Sequence, residues 1–246
     1  MMGRIKYEGM FFKLDDPDGD YFKIKHQDVK NEIFSGPSER YKKIKDLEYD
    51  DLFIDVIQCD LFKSICQKRI GPEVSSMRSM ILNKSTINSS ILPFHQDVAE
   101  NWPMSGKPNF TIWLSLNGAD KKKGCLKIVE GSHKYGVIGN GNNLFDTELK
   151  NKFLSDESKI KYLEVDPGDV AIFSNYTLHG SDKNITNENR LAFTCCYMNA
   201  SIYHLKTGKY YPKVFGSNAI TKDYIKLLNH KIPDKVYLAQ GESIPD

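Results

Sequence analysis

Residues 95–97 read His95-Gln96-Asp97, at the end of a short strand-like apolar run. Side chains two apart on a strand project to the same side, so the imidazole of His95 and the carboxylate of Asp97 can converge on one point. His179 closes a second apolar stretch, VAIFSNYTLHG, and is placed to supply a third donor. Two histidines and one carboxylate on one face leave the other positions of an octahedral ion open, which is the arrangement of non-haem ferrous oxygenases. Alone, a His-x-Asp in a chain with six histidines is a weak signal, because a half-buried histidine is more often a hydrogen-bonded structural residue. Ser181, two residues after His179, and Arg190, eleven after it, strengthen the pattern. A fixed guanidinium beside a hydroxyl suits the far carboxylate of a dicarboxylic keto acid, since arginine offers a planar, bidentate, charge-assisted pair of hydrogen bonds.

These residues need rigid elements to hold them. From residue 50 to 70, Leu52, Phe53, Val56, Ile57, Phe62 and Ile65 fall at helical spacing, and Gly71-Pro72 ends the run; the pattern predicts one packing helix. Apolar runs follow at 77–83, 91–95, 110–116, 125–129, 160–165, 170–173 and 191–197, separated by turn signals such as Asn117-Gly118, Lys123-Gly124 and Pro167-Gly168-Asp169. Their lengths and separators predict an all-β sandwich or barrel. Helical pattern returns near 146–153 and 221–228. Residues 1–36 show no sustained period and suggest a short hairpin or a loosely attached lead-in. The polar segment 98–108 and the aromatic stretch 203–215 are expected to cover the mouth of the pocket, and Lys121 to Lys123, followed by Gly124, to form a solvated turn.

The chain has 246 residues, which suits a single large domain, and 40% hydrophobic content suffices to bury a sizeable interior. Its 34 basic and 32 acidic side chains are intermixed, so no field is expected that would gather nucleic acid or a membrane surface. No stretch approaches the roughly 18 consecutive apolar residues of a membrane helix, and the start MMGRIKYEGMFFKLDDPDGD lacks the apolar core of a signal peptide. The cytoplasm is therefore the expected compartment. The five cysteines are odd in number, and Cys195 and Cys196 should face opposite sides of a strand, so no disulfide framework is expected.

The segments MILNKS (80–85), PFHQD (93–97), GCLKIVEGSHK (124–134), DPGDVAIF (166–173) and HGSDKNIT (179–186), in this order and spacing, resemble the phytanoyl-CoA dioxygenase family. These are Fe(II)- and 2-oxoglutarate-dependent oxygenases, among them ectoine hydroxylases. The resemblance covers roughly residues 39–200 and leaves 1–36 as an atypical lead-in and 201–246 as a C-terminal segment. It implies a mainly β fold with a double-stranded β-helix (jelly roll, cupin-like) core and flanking helices. It also implies His95, Asp97 and His179 as iron ligands, and Arg190 with Ser181 as the clamp on 2-oxoglutarate. Trp113, Met80 and Lys43 are expected to line the cofactor pocket, with Lys42 and Lys45 as neighbours of the last. By this resemblance the chain hydroxylates a small molecule with iron, 2-oxoglutarate and oxygen, and releases succinate and carbon dioxide. Desaturation or dealkylation at the same centre, or a non-catalytic binding protein on the same fold, are the alternatives. Asp97 stands where halogenating relatives have a small residue, which disfavours halogenation. His133 is expected to be a turn element, and His26, His204 and His230 surface residues.

Overall fold

The computed structural model describes residues 12–14, 33–34, 41–86, 89–138, 147–228 and 236–237. Along the chain these form β1 (Phe12–Leu14), β2 (Ile33–Phe34), β3 (Tyr41–Lys45), α1 (Phe53–Ile57), α2 (Asp60–Arg69), β4 (Val74–Lys84), β5 (Leu92–His95), β6 (Phe110–Ser115) and β7 (Leu126–Val129). They continue with α3 (Thr147–Leu154), β8 (Ile160–Leu163), β9 (Val170–Ser174), β10 (His179–Ser181), β11 (Arg190–Asn199), β12 (Lys213–Phe215), α4 (Lys222–Leu228) and β13 (Val236–Tyr237). The larger sheet runs β1-β3-β4-β11-β6-β9, with β12 added beside β4, and the smaller runs β5-β10-β7-β8. Every pairing among the described strands is antiparallel, and the two sheets, with α1, α2 and α4 packed on the larger and α3 against the smaller, make the jelly roll that the family resemblance implies.

Alternation along β11 shows how the layers separate. Phe193, Cys195 and Tyr197 point outward into a core shared with Ile54 and Ile57 of α1, Phe62 and Cys66 of α2, and Ile81 and Ile112 of the neighbouring strands. Arg190, Ala192, Thr194 and Cys196 therefore face the space between the sheets. There Ala192 joins Trp113, Phe173, Cys125 and Leu126 in a second core that bridges the two sheets. The two adjacent cysteines thus lie on opposite faces as expected, and all five cysteines are free.

The single helix expected over 50–70 is two. Cys59 is extended, at φ −60° and ψ 152°, between α1 and α2. The Gln58 amide beside it donates to the carbonyls of Val214 at 2.9 Å and Ile220 at 2.8 Å. Tyr197 Oη donates to the carbonyl of Ile57 at 2.9 Å, satisfying an acceptor that the end of α1 leaves open. Tertiary partners outweigh the local helical period here, and the break lets both helices turn apolar side chains to one sheet.

In the lead-in, β1 is the edge strand beside β3, and β2 pairs with β13, so the described residues of 1–36 form no hairpin with one another. The rest of that segment, with His26, lies outside the described residues, as does His230. Lys121 and Lys122 are exposed in the expected turn, while Lys123 is tied to the carbonyl of Asn117 at 3.0 Å and to Glu188 at 2.9 Å. Gly124 takes φ +71°, and a Cβ there would lie 2.7 Å from the carbonyl of Asp182. The two expected covers are zipped together: Ser105 N–H donates to the carbonyl of Tyr203 at 2.9 Å, and Leu205 N–H to that of Pro103 at 2.7 Å.

Candidate metal centre

The end of β5 and the start of β10 lie side by side, with His95 and His179 as direct register partners. Their ring centroids are 4.2 Å apart. Each imidazole has its Nδ1 on a carbonyl two residues back: His95 on Pro93 at 2.8 Å and His179 on Thr177 at 3.0 Å. A carbonyl only accepts, so the proton sits on Nδ1 and the Nε2 lone pair is left for a metal. Gly180 permits this approach, since a Cβ there would meet the carbonyl of Leu92 at 2.7 Å and the amide nitrogen of Phe94 at 3.2 Å.

Asp97 reaches the same point by a different route from the one its spacing suggests. The strand stops at His95, and Asp97 sits in the loop beyond it. Asn175, fully buried after β9, holds that loop. Its carbonyl accepts from Asp97 N–H at 2.9 Å, and its Nδ2 donates back to the carbonyl of Asp97 at 3.2 Å. One Asp97 oxygen then lies 3.9 Å from His95 Nε2 and the other 3.7 Å from His179 Nε2. One donor atom from each of the three buried residues falls within 4.8 Å of the others. Gln96, between the ligand candidates, points away and holds the 132–138 segment through Gly136 at 2.8 Å and Ile138 at 2.7 Å.

Electrostatics prepare this trio for a cation. Burial first, and then the neighbouring His179, push the His95 imidazole down to about 3, so it is neutral at any ordinary pH. Burial works against the charge of Asp97. The Arg78 guanidinium, which pairs with its Oδ1, together with His179 and His95 more than offsets this and holds the carboxyl well below its ordinary value. A neutral imidazole and a lasting carboxylate are the states a divalent ion requires.

A second polar site lies on the inner face of the larger sheet. Arg190 is 4% exposed, yet its Nε and Nη1 have no hydrogen-bond partner among the described residues. Burial pulls its guanidinium down to about 10, with only the Cys125 thiol opposing. It lies 5.5 Å from the Trp113 ring, whose Nε1 is also unpartnered, as is the buried hydroxyl of Ser181. Buried polar atoms are rarely left in this state, and an orphaned guanidinium beside an orphaned hydroxyl fits a carboxylate ligand. The donor set and this clamp therefore fit ferrous iron and 2-oxoglutarate respectively.

Of the other expected residues, Met80 is buried and shares a cross-strand row with Thr194 and Trp113. Lys43 pairs with Leu82 on the same face, and its charge is one of those that disfavour protonation of His95. His133 is exposed in a single 3-10 turn, and His204 lies in the cover near Thr207, so neither joins the site. Two site residues, Arg78 and Asn175, had no signal in the spacing, because a strand arginine and a turn asparagine are ordinary in sequence.

Comparison with known proteins agrees with this geometry. Residues 16–192 match the sequence model of the phytanoyl-CoA dioxygenase family. The match takes in residues 16–36, which the motifs had left outside the family. Peroxisomal phytanoyl-CoA dioxygenase of Homo sapiens is 26% identical over 182 residues, covering 69% of this chain and 53% of that protein. The Bos taurus protein is 26% identical over 184 residues with the same coverage. The chain spans about half the length of these curated relatives. Among solved structures, the nickel complex of the non-heme monooxygenase ThoJ superposes with a TM-score of 0.56 at 16% identity, covering 99% of this chain and 89% of that one. The epimerase SnoN, in complex with Fe3+, α-ketoglutarate and nogalamycin RO, gives 0.55 at 18% identity, covering 85% and 86%. At such identities the likeness is one of fold. With residues 16–192, most of its length, matched by the family model, the chain belongs to the phytanoyl-CoA dioxygenase family.

Proposed function

We propose that this chain is a dioxygenase that uses ferrous iron, 2-oxoglutarate and oxygen to hydroxylate a small organic molecule, with residues 1–246 acting as one domain. The observation that carries the proposal is a buried three-donor face together with a buried guanidinium that has no carboxylate partner among the described residues. His95, Asp97 and His179 would hold the iron. Arg190 and Ser181 would take the far carboxylate of 2-oxoglutarate, between Trp113 and Met80, with Lys43 at the rim. Iron with its cosubstrate and oxygen supplies the oxidising power, with succinate and carbon dioxide as by-products.

The chain itself contributes position and exclusion of water. Arg190 fixes one end of the cosubstrate, and the fixed tautomers of His95 and His179 keep the donor face aimed without any proton leaving. Phe173, 5.0 Å from the His179 ring, and the buried Trp113 make the surrounding wall apolar. Asp97 would be the third protein ligand, at the position that a halide needs free, which favours hydroxyl transfer over halogenation. The curated relatives carry a coenzyme A thioester in their names. A free small acid, an amino-acid derivative or a natural-product intermediate is the substrate class proposed here. The test is succinate formation from 2-oxoglutarate across a metabolite screen, dependent on added iron and on one substrate and lost in His179→Ala and Asp97→Ala. Failure of the iron-loaded wild type to bind 2-oxoglutarate would sink the proposal.

A further inference from the structure

The two sheets contribute differently to the donor face. His95 and His179 come from β5 and β10 of the smaller sheet, whereas Asp97 is held from the larger one. Arg78 of β4, Cys196 of β11 and Thr111 of β6 are register partners in one cross-strand row, so all three project to the inner face. This row reaches Asp97 by two routes. The Arg78 guanidinium pairs directly with Asp97 Oδ1. Asn175, which holds the main chain of Asp97, is itself fastened to Thr111 Oγ1 at 3.0 Å and to Cys196 Sγ at 2.9 Å. The loop and its carboxylate are thus registered to the same row.

Both carboxylate oxygens lie near the donor face. Oδ1 is 3.9 Å from His95 Nε2 and Oδ2 is 3.7 Å from His179 Nε2, so distance does not choose between them. Arg78 does, because it occupies Oδ1 and leaves Oδ2. The two side chains are only 22% and 11% exposed, so bulk water is a poor substitute for either partner. A carboxylate has lone pairs enough to keep Arg78 on one oxygen while it offers the other. Ligation by both oxygens would take Oδ1 from the guanidinium and strand a largely buried charge. It would also use one more of the positions that a face of two histidines and one carboxylate leaves open.

We propose that Arg78 is a positioning residue that withholds Oδ1 from the iron, so that Asp97 ligates through Oδ2 alone. This rests on the iron site proposed above and adds to it the manner in which the carboxylate is presented.

The test uses the full chain loaded with Fe(II) in the absence of oxygen. Fe(II) affinity is measured first, by competition with a chelator, for the wild type and Asp97→Ala. Equal affinities would show that the trio is not the iron site, which sinks the underlying function. A loss in Asp97→Ala upholds that function and leaves Arg78 to be judged separately. Infrared spectra of protein carrying carboxyl-labelled aspartate then read the ligation mode, with Asp97→Ala as the blank. The two carboxylate stretching bands lie far apart when one oxygen ligates and close together when both do.

The wild type should show the wide separation. Arg78→Met, which keeps the length of the side chain without its charge or donors, should show the narrow one. Arg78→Lys, which restores a charged donor, should move back towards the wide. Iron affinity should rise about tenfold or more in Arg78→Met, since a second oxygen becomes free to ligate and a neighbouring cation is gone. A residue that only supported the fold would weaken iron binding when removed. A narrow separation in the wild type overturns the assignment whatever the variants do. A wide separation in Arg78→Met, or weaker iron binding there, overturns it as well.

Discussion

Replacing Arg190 by leucine should make the protein more stable and useless at once. The guanidinium is 4% exposed, and burial lowers its pKa from 12.5 to about 10. At about 1.4 kcal/mol per tenfold, holding this charge buried costs the folded state roughly 3 kcal/mol. The two unpartnered donors, Nε and Nη1, are the same cost seen atom by atom, at about 1–3 kcal/mol each, and are not additional to it. Leucine removes the charge and both donors but fills less space, which gives back about 1 kcal/mol. The net gain of about 2 kcal/mol should raise the Tm of the metal-free, cosubstrate-free protein by roughly 4–8 °C for a domain of this size. The affinity for 2-oxoglutarate should fall more than about a hundredfold, since one half of a buried charge pair is gone. Differential scanning calorimetry with and without iron and 2-oxoglutarate reads both effects. An Arg190→Leu protein that melts below the wild type, or that 2-oxoglutarate still stabilises, would refute the clamp and the physical account of its cost.

Glu48 is buried beneath Ser79, and burial, with Asp46 nearby, raises its carboxyl pKa from 4.5 to about 8. Between those values the folded chain keeps a proton that the unfolded chain has lost, so stability should fall as pH rises through that window, at up to about 1.4 kcal/mol per pH unit. Glu48→Gln should flatten the profile in urea unfolding at pH 5, 6.5 and 8, and an unchanged slope would contradict the assignment. Gly180→Ala would place a methyl 2.7 Å from the carbonyl of Leu92. Pushing β5 aside should cost about 1–3 kcal/mol in thermal melts and weaken iron binding in parallel. Asn175→Ala removes the side-chain bond that holds the Asp97 loop, together with a 3.0 Å bond to Thr111. Iron affinity, measured by competition with a chelator, should fall about 10–100-fold, and a wild-type value would show that the loop holds itself.

What the sequence offered by itself was an inventory of candidates for the site. His95, Asp97, His179, Ser181 and Arg190 stood out as candidates because donor chemistry is written in residue type, Trp113 came only with the family resemblance, and the apolar runs between turn signals marked most of the strands that carry them. Period-two and period-3.6 patterns are local, so they could not show that Cys59 interrupts the helix, because the cause is Gln58 reaching Val214 and Ile220, more than 150 residues away. Nor could spacing give the true position of Asp97, which leaves the strand and owes its place to Asn175 across the sheet interface. Arg78 was silent for the same reason: a strand arginine becomes informative only when β4 brings it against the carboxylate that a metal would take. The tertiary structure alone decided which charged groups meet and which are buried without a partner, because that depends on register and burial between segments distant along the chain, and from it came the pairing of Arg78 with Asp97 and the orphaned state of Arg190.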